Sequence, residues 1–91
     1  MLRPVYQSLP LVPTRMAMTE MMRLGMDEWD ILELLQGGYD CSASRRREGT
    51  LEKCLDKAKK TIKVVAVRSH NWSLGCDVWA ITHVGRFTRR R

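Results

Sequence analysis

The fold is decided by the stretch Thr61-Ile-Lys-Val-Val-Ala-Val-Arg68, Ser69-His-Asn-Trp-Ser-Leu-Gly75 and Cys76-Asp-Val-Trp-Ala-Ile-Thr-His-Val84. Both flanks are dense in β-branched residues, which favour strands. The middle is rich in residues that favour turns. The pattern therefore predicts two long, paired antiparallel strands joined by a hairpin turn.

Alternation along these strands predicts which side chains share a face of the sheet. In the first strand Ile62, Val64 and Ala66 lie on one face, with Val65 and Val67 on the other. Apolar residues on both faces are typical of a central strand. In the second strand, simple alternation places Val78, Ala80, Thr82 and Val84 opposite Trp79, Ile81 and His83.

Size and charge set the class of protein. The chain has 91 residues, 44% of them hydrophobic and 29% charged, so we expect one globular domain spanning residues 1–91. Residues 1–44 carry three Lys/Arg against six Asp/Glu, whereas residues 45–91 carry thirteen against four. The basic half is suited to binding a polyanion. Solubility alone is the competing explanation.

The cysteines and the apolar runs bear on location. Cys41, Cys54 and Cys76 are odd in number and lack Cys-x-x-Cys spacing, so we expect reduced, partly buried thiols and no zinc site. The sequence predicts neither a bound metal nor a cofactor. No apolar run is long enough to cross a bilayer. We therefore expect a cytoplasmic protein that does not contact a membrane.

Prolines, helix-capping residues and glycines predict the secondary structure of the first part of the chain. Residues 1–12 are expected to be extended, and residues 13–36 to form a helical hairpin. Its first helix covers residues 14–24 with Thr14 as N-cap, and its second covers residues 27–36. Five of the six methionines lie between Met16 and Met26, where we expect adaptable core filling.

The remaining residues are predicted to form an antiparallel sheet over residues 39–87, followed by a basic tail at residues 88–91. A short strand is expected at Tyr39 to Ala43. Thr50 to Lys57 is ambiguous, because apolar residues recur there at the three-four spacing of a helix. Local pattern alone predicts a helix for that segment.

Six short motifs follow one another along the chain. They are Gly25-Met-Asp27, Gly37-Gly38, Ser44-Arg-Arg-Arg-Glu-Gly-Thr50, Glu52-Lys-Cys54, Lys59-Lys-Thr-Ile-Lys-Val-Val-Ala-Val67 and Val78-Trp-Ala-Ile-Thr-His83. In this order the chain resembles the domain of unknown function family 4258 over roughly Thr14 to Thr88. The resemblance implies a compact α+β fold with two amino-terminal helices packed on a small curved antiparallel meander. It also implies kinship with the RelE-like and BrnT-like toxin nucleases.

The resemblance makes Thr50 to Lys57 a strand rather than a helix. Many relatives in that family carry a histidine just before the first helix. Residues 13–17 of this chain contain none, so a histidine-based site is not carried over from the family.

Residues that could act on RNA lie in the basic half. Arg45, Arg46 and Arg47 form the densest internal cationic cluster, and guanidinium groups bridge phosphates well. The alternative is a solvated loop paired with Glu48. His83, near a strand end, is a candidate for proton transfer. The alternative for His83 is a hydrogen-bonded structural histidine on the sheet.

Trp72 lies in the predicted hairpin turn, where an exposed indole can stack on a base, unless it folds back over its own hairpin. Trp79, within a strand, is expected in the core. The sequence thus favours an RNA-binding protein or a metal-independent ribonuclease, with His83 and Arg47 as catalytic candidates. A protein-interaction module that uses a sheet edge or the methionine-rich helices is the alternative, its partner being antitoxin-like, another protein or a second copy. The residues predicted to contact RNA are Arg45, Arg46, Arg47, Arg68, Trp72 and Arg86.

Overall fold

The structure, a computed structural model, describes residues 3–41 and 48–88. In chain order its elements are β1 (Val5–Tyr6), β2 (Leu9–Pro13), α1 (Arg15–Leu24), α2 (Glu28–Gly37), β3 (Tyr39–Asp40), β4 (Thr50–Lys57), β5 (Lys60–Asn71) and β6 (Cys76–Thr88). The α+β class is confirmed. Thr50 to Lys57 is a strand, as the resemblance implied and the local pattern did not.

The strands form one sheet in the order β1-β2-β6-β5-β4-β3. Strands β3 to β6 make the expected antiparallel meander. Strand β2, however, pairs in parallel with β6, its Leu11–Pro13 lying opposite Trp79–Ile81. The prediction of a purely antiparallel sheet preceded by helices is therefore wrong: two strands come first, and the sheet is mixed. Parallel pairing joins distant segments, and local periodicity contains no sign of it.

Capping fixes both helices close to their predicted bounds. The Thr14 Oγ1 accepts the Ala17 N–H at 3.2 Å, and Gly25 ends α1 in the left-handed conformation with φ 71°. Asp27 and Asp30 exchange backbone-to-carboxylate bonds at the start of α2. Both caps were readable from the sequence.

The helices cover one face of the sheet, which we call the helix face. Leu11 of β2 is fully buried there, beside side chains of the central strands. The core includes Ala17, Met21, Ile31, Leu34, Leu35, Val64, Ala66, Trp79, Ile81 and Val84. Trp79 lies in the core, as predicted. Core filling is wrong for Met16, Met18 and Met22, which are exposed, while Met21 is buried.

A β-bulge in β6 changes the predicted faces. Val65 is opposite His83 but Ala66 is opposite Ile81, so Thr82 is an extra residue in β6. Beyond it the alternation inverts: Val84 joins the helix face and is fully buried. His83 turns to the opposite side, which we call the helix-free face. The predicted grouping of Val84 with Val78 is therefore wrong.

Cys41 and Cys54 form a disulfide with their Cα atoms 5.5 Å apart. Cys41 directly follows β3 and Cys54 lies in β4, the strand paired with β3. The prediction of reduced thiols is wrong for this pair, because the sheet brings together two cysteines whose spacing in the sequence gives no hint of it. Cys76 is a free thiol but is exposed.

Two further predictions concern the ends of elements and the membrane. Strand β3 contains only Tyr39 and Asp40, and Ala43 lies outside the described residues. In residues 3–41 and 48–88, neither helix has the length and apolarity that a bilayer span requires.

Candidate acid–base site

Two histidine–carboxylate pairs lie in the described residues, and the pair at His83 joins α1 to β6. The Glu20 Oε1 lies 3.3 Å from the His83 Nδ1. The same oxygen accepts the Val84 backbone N–H at 3.0 Å. About half of the His83 side chain is exposed, and Glu20 is more buried. A partly buried carboxylate therefore lies within ion-pair distance of one ring nitrogen of a solvent-accessible imidazole.

The fold explains why this carboxylate is fixed. Strand β2 pairs with β6 only as far as Ile81. There the Thr14 N–H donates to the Ile81 carbonyl at 2.9 Å, and the chain turns into α1. On that side of β6 no described strand reaches Val84, whose N–H is satisfied by Glu20 instead. The bulge at Thr82 then places the His83 ring within reach of the same carboxylate.

Gly85 leaves room for the imidazole. A Cβ atom at Gly85 would lie 3.0 Å from the His83 Nε2. Gly85 is two residues beyond His83 and shares the helix-free face with it. The His83 ring therefore lies over the Gly85 backbone. Any side chain at position 85 would crowd the ring, so Gly85 is part of the site.

The neighbours on the helix-free face follow from the strand register. Val65, Lys63 and Thr61 of β5 lie opposite His83, Gly85 and Phe87 of β6. The Lys63 Nζ forms an ion pair with the Glu52 Oε1 at 3.3 Å, while about a third of the Lys63 side chain stays exposed. Phe87 is half exposed. A cation and an aromatic ring thus lie along the same face as His83.

This arrangement is suited to proton transfer. A carboxylate beside Nδ1 favours the tautomer that has its proton there, and leaves Nε2 free to accept one. Lys63 shares the helix-free face with this imidazole, with its ammonium paired to Glu52, and a base with a cation is a usual combination for reactions at phosphate esters.

The predicted arginines are not gathered around His83. Arg45, Arg46 and Arg47 lie outside the described residues. Arg86 is exposed, lies opposite Ile62 on the margin of the helix face, and forms no ion pair within the part of the chain that the structure describes. It therefore points to the side of the sheet away from His83.

Arg68 and Trp72 belong to a second group, the hairpin-tip cluster, which also contains His70 and Asp77. Asp77 lies 3.5 Å from Arg68 and 3.1 Å from the His70 Nδ1. His70 contacts Trp72 edge to face with the ring centroids 4.4 Å apart. Trp72 is 87% exposed, so it does not fold back to become buried. The hydrogen bond from His70, and then the charge of Arg68, hold the pKa of Asp77 below its ordinary value.

The two groups are separate. Five paired steps along β6 between Asp77 and His83 span about 16 Å at roughly 3.3 Å per residue, and the cluster lies on the helix-face side of the sheet. Asp77 also offsets the charge of Arg68. The structure leaves His83 accessible, but Arg68 and Arg86, which were expected around it, both lie on the helix face.

Sequence reasoning missed Glu20, Lys63 and Phe87. Glu20 is the one acidic residue in α1, which is the only local signal. Its pairing with His83 depends on the bulge and on the parallel pairing of β2. In residues 3–41 and 48–88, no three His, Cys, Asp or Glu side chains converge as a metal site would require.

The chain matches no family model, no curated protein and no solved structure. Its resemblance to the domain of unknown function family 4258, and the RelE-like or BrnT-like fold that this implies, stay predictions.

Proposed function

We propose that this protein binds RNA on its helix-free face and cleaves it without a metal ion, with His83 as the general base. The observation that carries the proposal is the contact of the Glu20 carboxylate with the His83 Nδ1 at 3.3 Å. A histidine without a partner would be weak support for catalysis. A histidine oriented by an anchored carboxylate, with its other nitrogen free, is the arrangement that acid–base enzymes use.

The reaction follows from the available groups. The His83 Nε2 takes the proton of a ribose 2′-hydroxyl, whose oxygen attacks the adjacent phosphorus. The P–O2′ bond forms and the P–O5′ bond breaks, so the products are a 2′,3′-cyclic phosphate and a 5′-hydroxyl. The leaving 5′-oxygen takes its proton from water or from the imidazolium. Lys63 offsets the charge that develops on the phosphoryl oxygens by exchanging its ion pair with Glu52 for the phosphate.

Binding requires contacts beyond the reacting phosphate. Phe87 offers an exposed ring on which a base can stack, two residues beyond Gly85 on the same face. The excess of Lys and Arg over residues 45–91 supplies long-range attraction to a polyanion. Trp72 on the hairpin tip is a separate stacking position for a longer RNA.

The resemblance stated above supports the same direction, since it implies kinship with toxin nucleases. An antitoxin-like protein partner and a cytoplasmic location belong to this proposal. Strand addition is also open to β6 beyond Val84, because β2 pairs with β6 only as far as Ile81 and Glu20 occupies the Val84 N–H.

The test is cleavage of a mixed-sequence RNA oligonucleotide by purified protein in the presence of a chelator. We expect His83→Ala to reduce the rate by about 100-fold or more, the usual contribution of a general base. Glu20→Gln keeps an oxygen for the Val84 N–H but removes the charge beside the imidazole, so we expect a loss of about 10-fold. His70→Ala is the matched control and should keep the wild-type rate.

Gly85→Ala tests the geometry without removing the base. Its Cβ would displace the His83 ring, so cleavage should fall while RNA binding, followed by fluorescence anisotropy, persists. Equal rates for wild type and His83→Ala would overturn the catalytic assignment. Absence of RNA binding even at low salt would overturn the RNA-directed function as a whole.

A further inference from the structure

A second surface, independent of His83, lies between the two helices. It is a groove of about 450 Å³ whose apolar lining includes Met18, Met21, Met22, Met26 and Trp29. We call it the methionine groove. Met21 is buried at its base, whereas Met22 is 75% exposed, Trp29 is 52% exposed and Met18 is 46% exposed. Large apolar side chains clustered in the open are typical of an interaction site.

The spacing of these residues gives the groove its direction. Met18 and Met22 are four residues apart in α1 and therefore lie on one side of the helix. Trp29 lies in the first turn of α2 on the far side of the groove. Two methionines facing an indole form a trough that suits an elongated apolar ridge, such as one side of an amphipathic helix.

Charge indicates the kind of partner. Asp27 and Glu28 line the groove, and residues 14–38 contain five acidic but only two basic side chains. The chain as a whole has a net charge of +6. The groove is thus bordered by negative charge on a positive protein, so a cationic segment is attracted here and repelled elsewhere.

The same charge argues against a second copy of the chain using this surface on itself. A symmetric dimer would bring Asp27 and Glu28 towards their own counterparts. Like charges across an interface are unfavourable. Arg3 offsets part of one such charge, its Nη1 lying 3.7 Å from the Glu28 carboxylate, but the border stays acidic.

We propose that the methionine groove binds a cationic amphipathic helix of a partner protein. The apolar side of that helix packs on Met18, Met22 and Trp29, and its Lys or Arg residues lie near Asp27 and Glu28. Methionine side chains are flexible and polarisable, so the groove adapts to different apolar side chains. The partner is therefore selected by its charge and amphipathic pattern more than by one sequence.

The probe is a synthetic amphipathic helix with leucine at positions i, i+3, i+4 and i+7 and lysine elsewhere. The comparison peptide has glutamate in place of each lysine. Calorimetry measures affinity. In a Trp72→Phe background the two remaining indoles are Trp29 and the already buried Trp79, so a change in emission on binding reports burial of Trp29. We expect the lysine peptide to bind and to shift the emission to shorter wavelength, and the glutamate peptide to leave the emission unchanged.

Met18→Gln and Met22→Gln keep the side-chain length and the helix propensity. Combined in one double variant, they should lower the affinity for the lysine peptide by about 10-fold or more. Met16→Gln is the matched control, since Met16 is exposed on α1 but lines a different depression with Thr19 and Thr82. It should leave the affinity unchanged. RNA cleavage should be unaffected in the double variant and in Met16→Gln, which separates this proposal from the previous one.

Three results would overturn the proposal. The first is equal binding of both peptides. The second is an equal effect of Met16→Gln and of the double variant. The third is a concentration-dependent dimer in sedimentation that the double variant dissociates, which would assign the groove to a second copy.

Discussion

Reducing the disulfide between Cys41 and Cys54 should lower the stability of the protein strongly. The bond closes a loop with a sequence separation of 13. In the chain-entropy relation, closing a loop of that length removes about 10 cal/mol/K from the unfolded chain, which is about 3 kcal/mol at 25 °C. A domain of this size is stable by only about 5–15 kcal/mol, so the bond accounts for a large part of the total.

The measurement is urea unfolding followed by circular dichroism, with and without a phosphine reductant. We expect the unfolding free energy of the wild type to fall by about 3 kcal/mol on reduction. Cys76→Ser should behave as the wild type does under both conditions, since Cys76 is exposed and free. Cys41→Ser should be insensitive to the reductant and close to the reduced wild type.

An unchanged midpoint on reduction would contradict the disulfide and the pairing of β3 with β4 that produces it. A loss much larger than the entropic value would show that the native state also depends on the bond. Since disulfides persist mainly in oxidising compartments, a protein kept in a reducing cytoplasm would have the lower stability.

The other predictions concern single residues. Gly38→Ala should lower the free energy of unfolding by about 1–3 kcal/mol, because its Cβ would lie 2.6 Å from the Leu34 carbonyl oxygen and 2.7 Å from the Cys54 carbonyl oxygen. Gly37→Ala is the control, since a Cβ there meets open space. It should be neutral or slightly stabilising in the same urea titration. Thr14→Ala should cost about 1 kcal/mol through loss of the cap at α1, and a Thr14→Ser variant that is no more stable than Thr14→Ala would contradict that cause. Asp77→Asn should lower stability near neutral pH. The difference from the wild type should begin to shrink near pH 3.8 and disappear as the pH falls through the lower folded-state pKa of Asp77, because a carboxyl whose pKa is lowered on folding stabilises the folded state only while ionised. A constant difference down to about pH 2 would count against it.

Local signals in the sequence were sufficient for much of the fold. Thr14, Gly25 and Asp27 have short-range roles that caps and turn chemistry define, so both helices could be placed to within a residue or so. Alternation was reliable in β5, where the pairing is regular. It was wrong beyond Thr82, because an inserted residue inverts every later side chain and leaves no mark in the pattern.

The candidate site depended on contacts between distant segments. His83 was selected from its type and from an expected strand end, and that end is wrong because β6 continues to Thr88. Glu20 reaches His83 only through the arrangement of α1 beside β6. The disulfide and the parallel pairing of β2 are of the same kind. Basic residues were correctly identified as abundant, yet Arg68 and Arg86 lie away from His83, since composition contains no information on which face a side chain occupies.

The most direct test of the central claim is nitrogen-15 NMR of the two histidines in the presence of RNA. The chain has only His70 and His83, so each serves as a control for the other. We expect free His83 to show a protonated Nδ1 and an unprotonated Nε2, and the Nε2 resonance to shift when a 2′-O-methyl RNA that cannot be cleaved is added. The opposite tautomer at His83, or an Nε2 that stays unshifted while the RNA binds, would contradict the account.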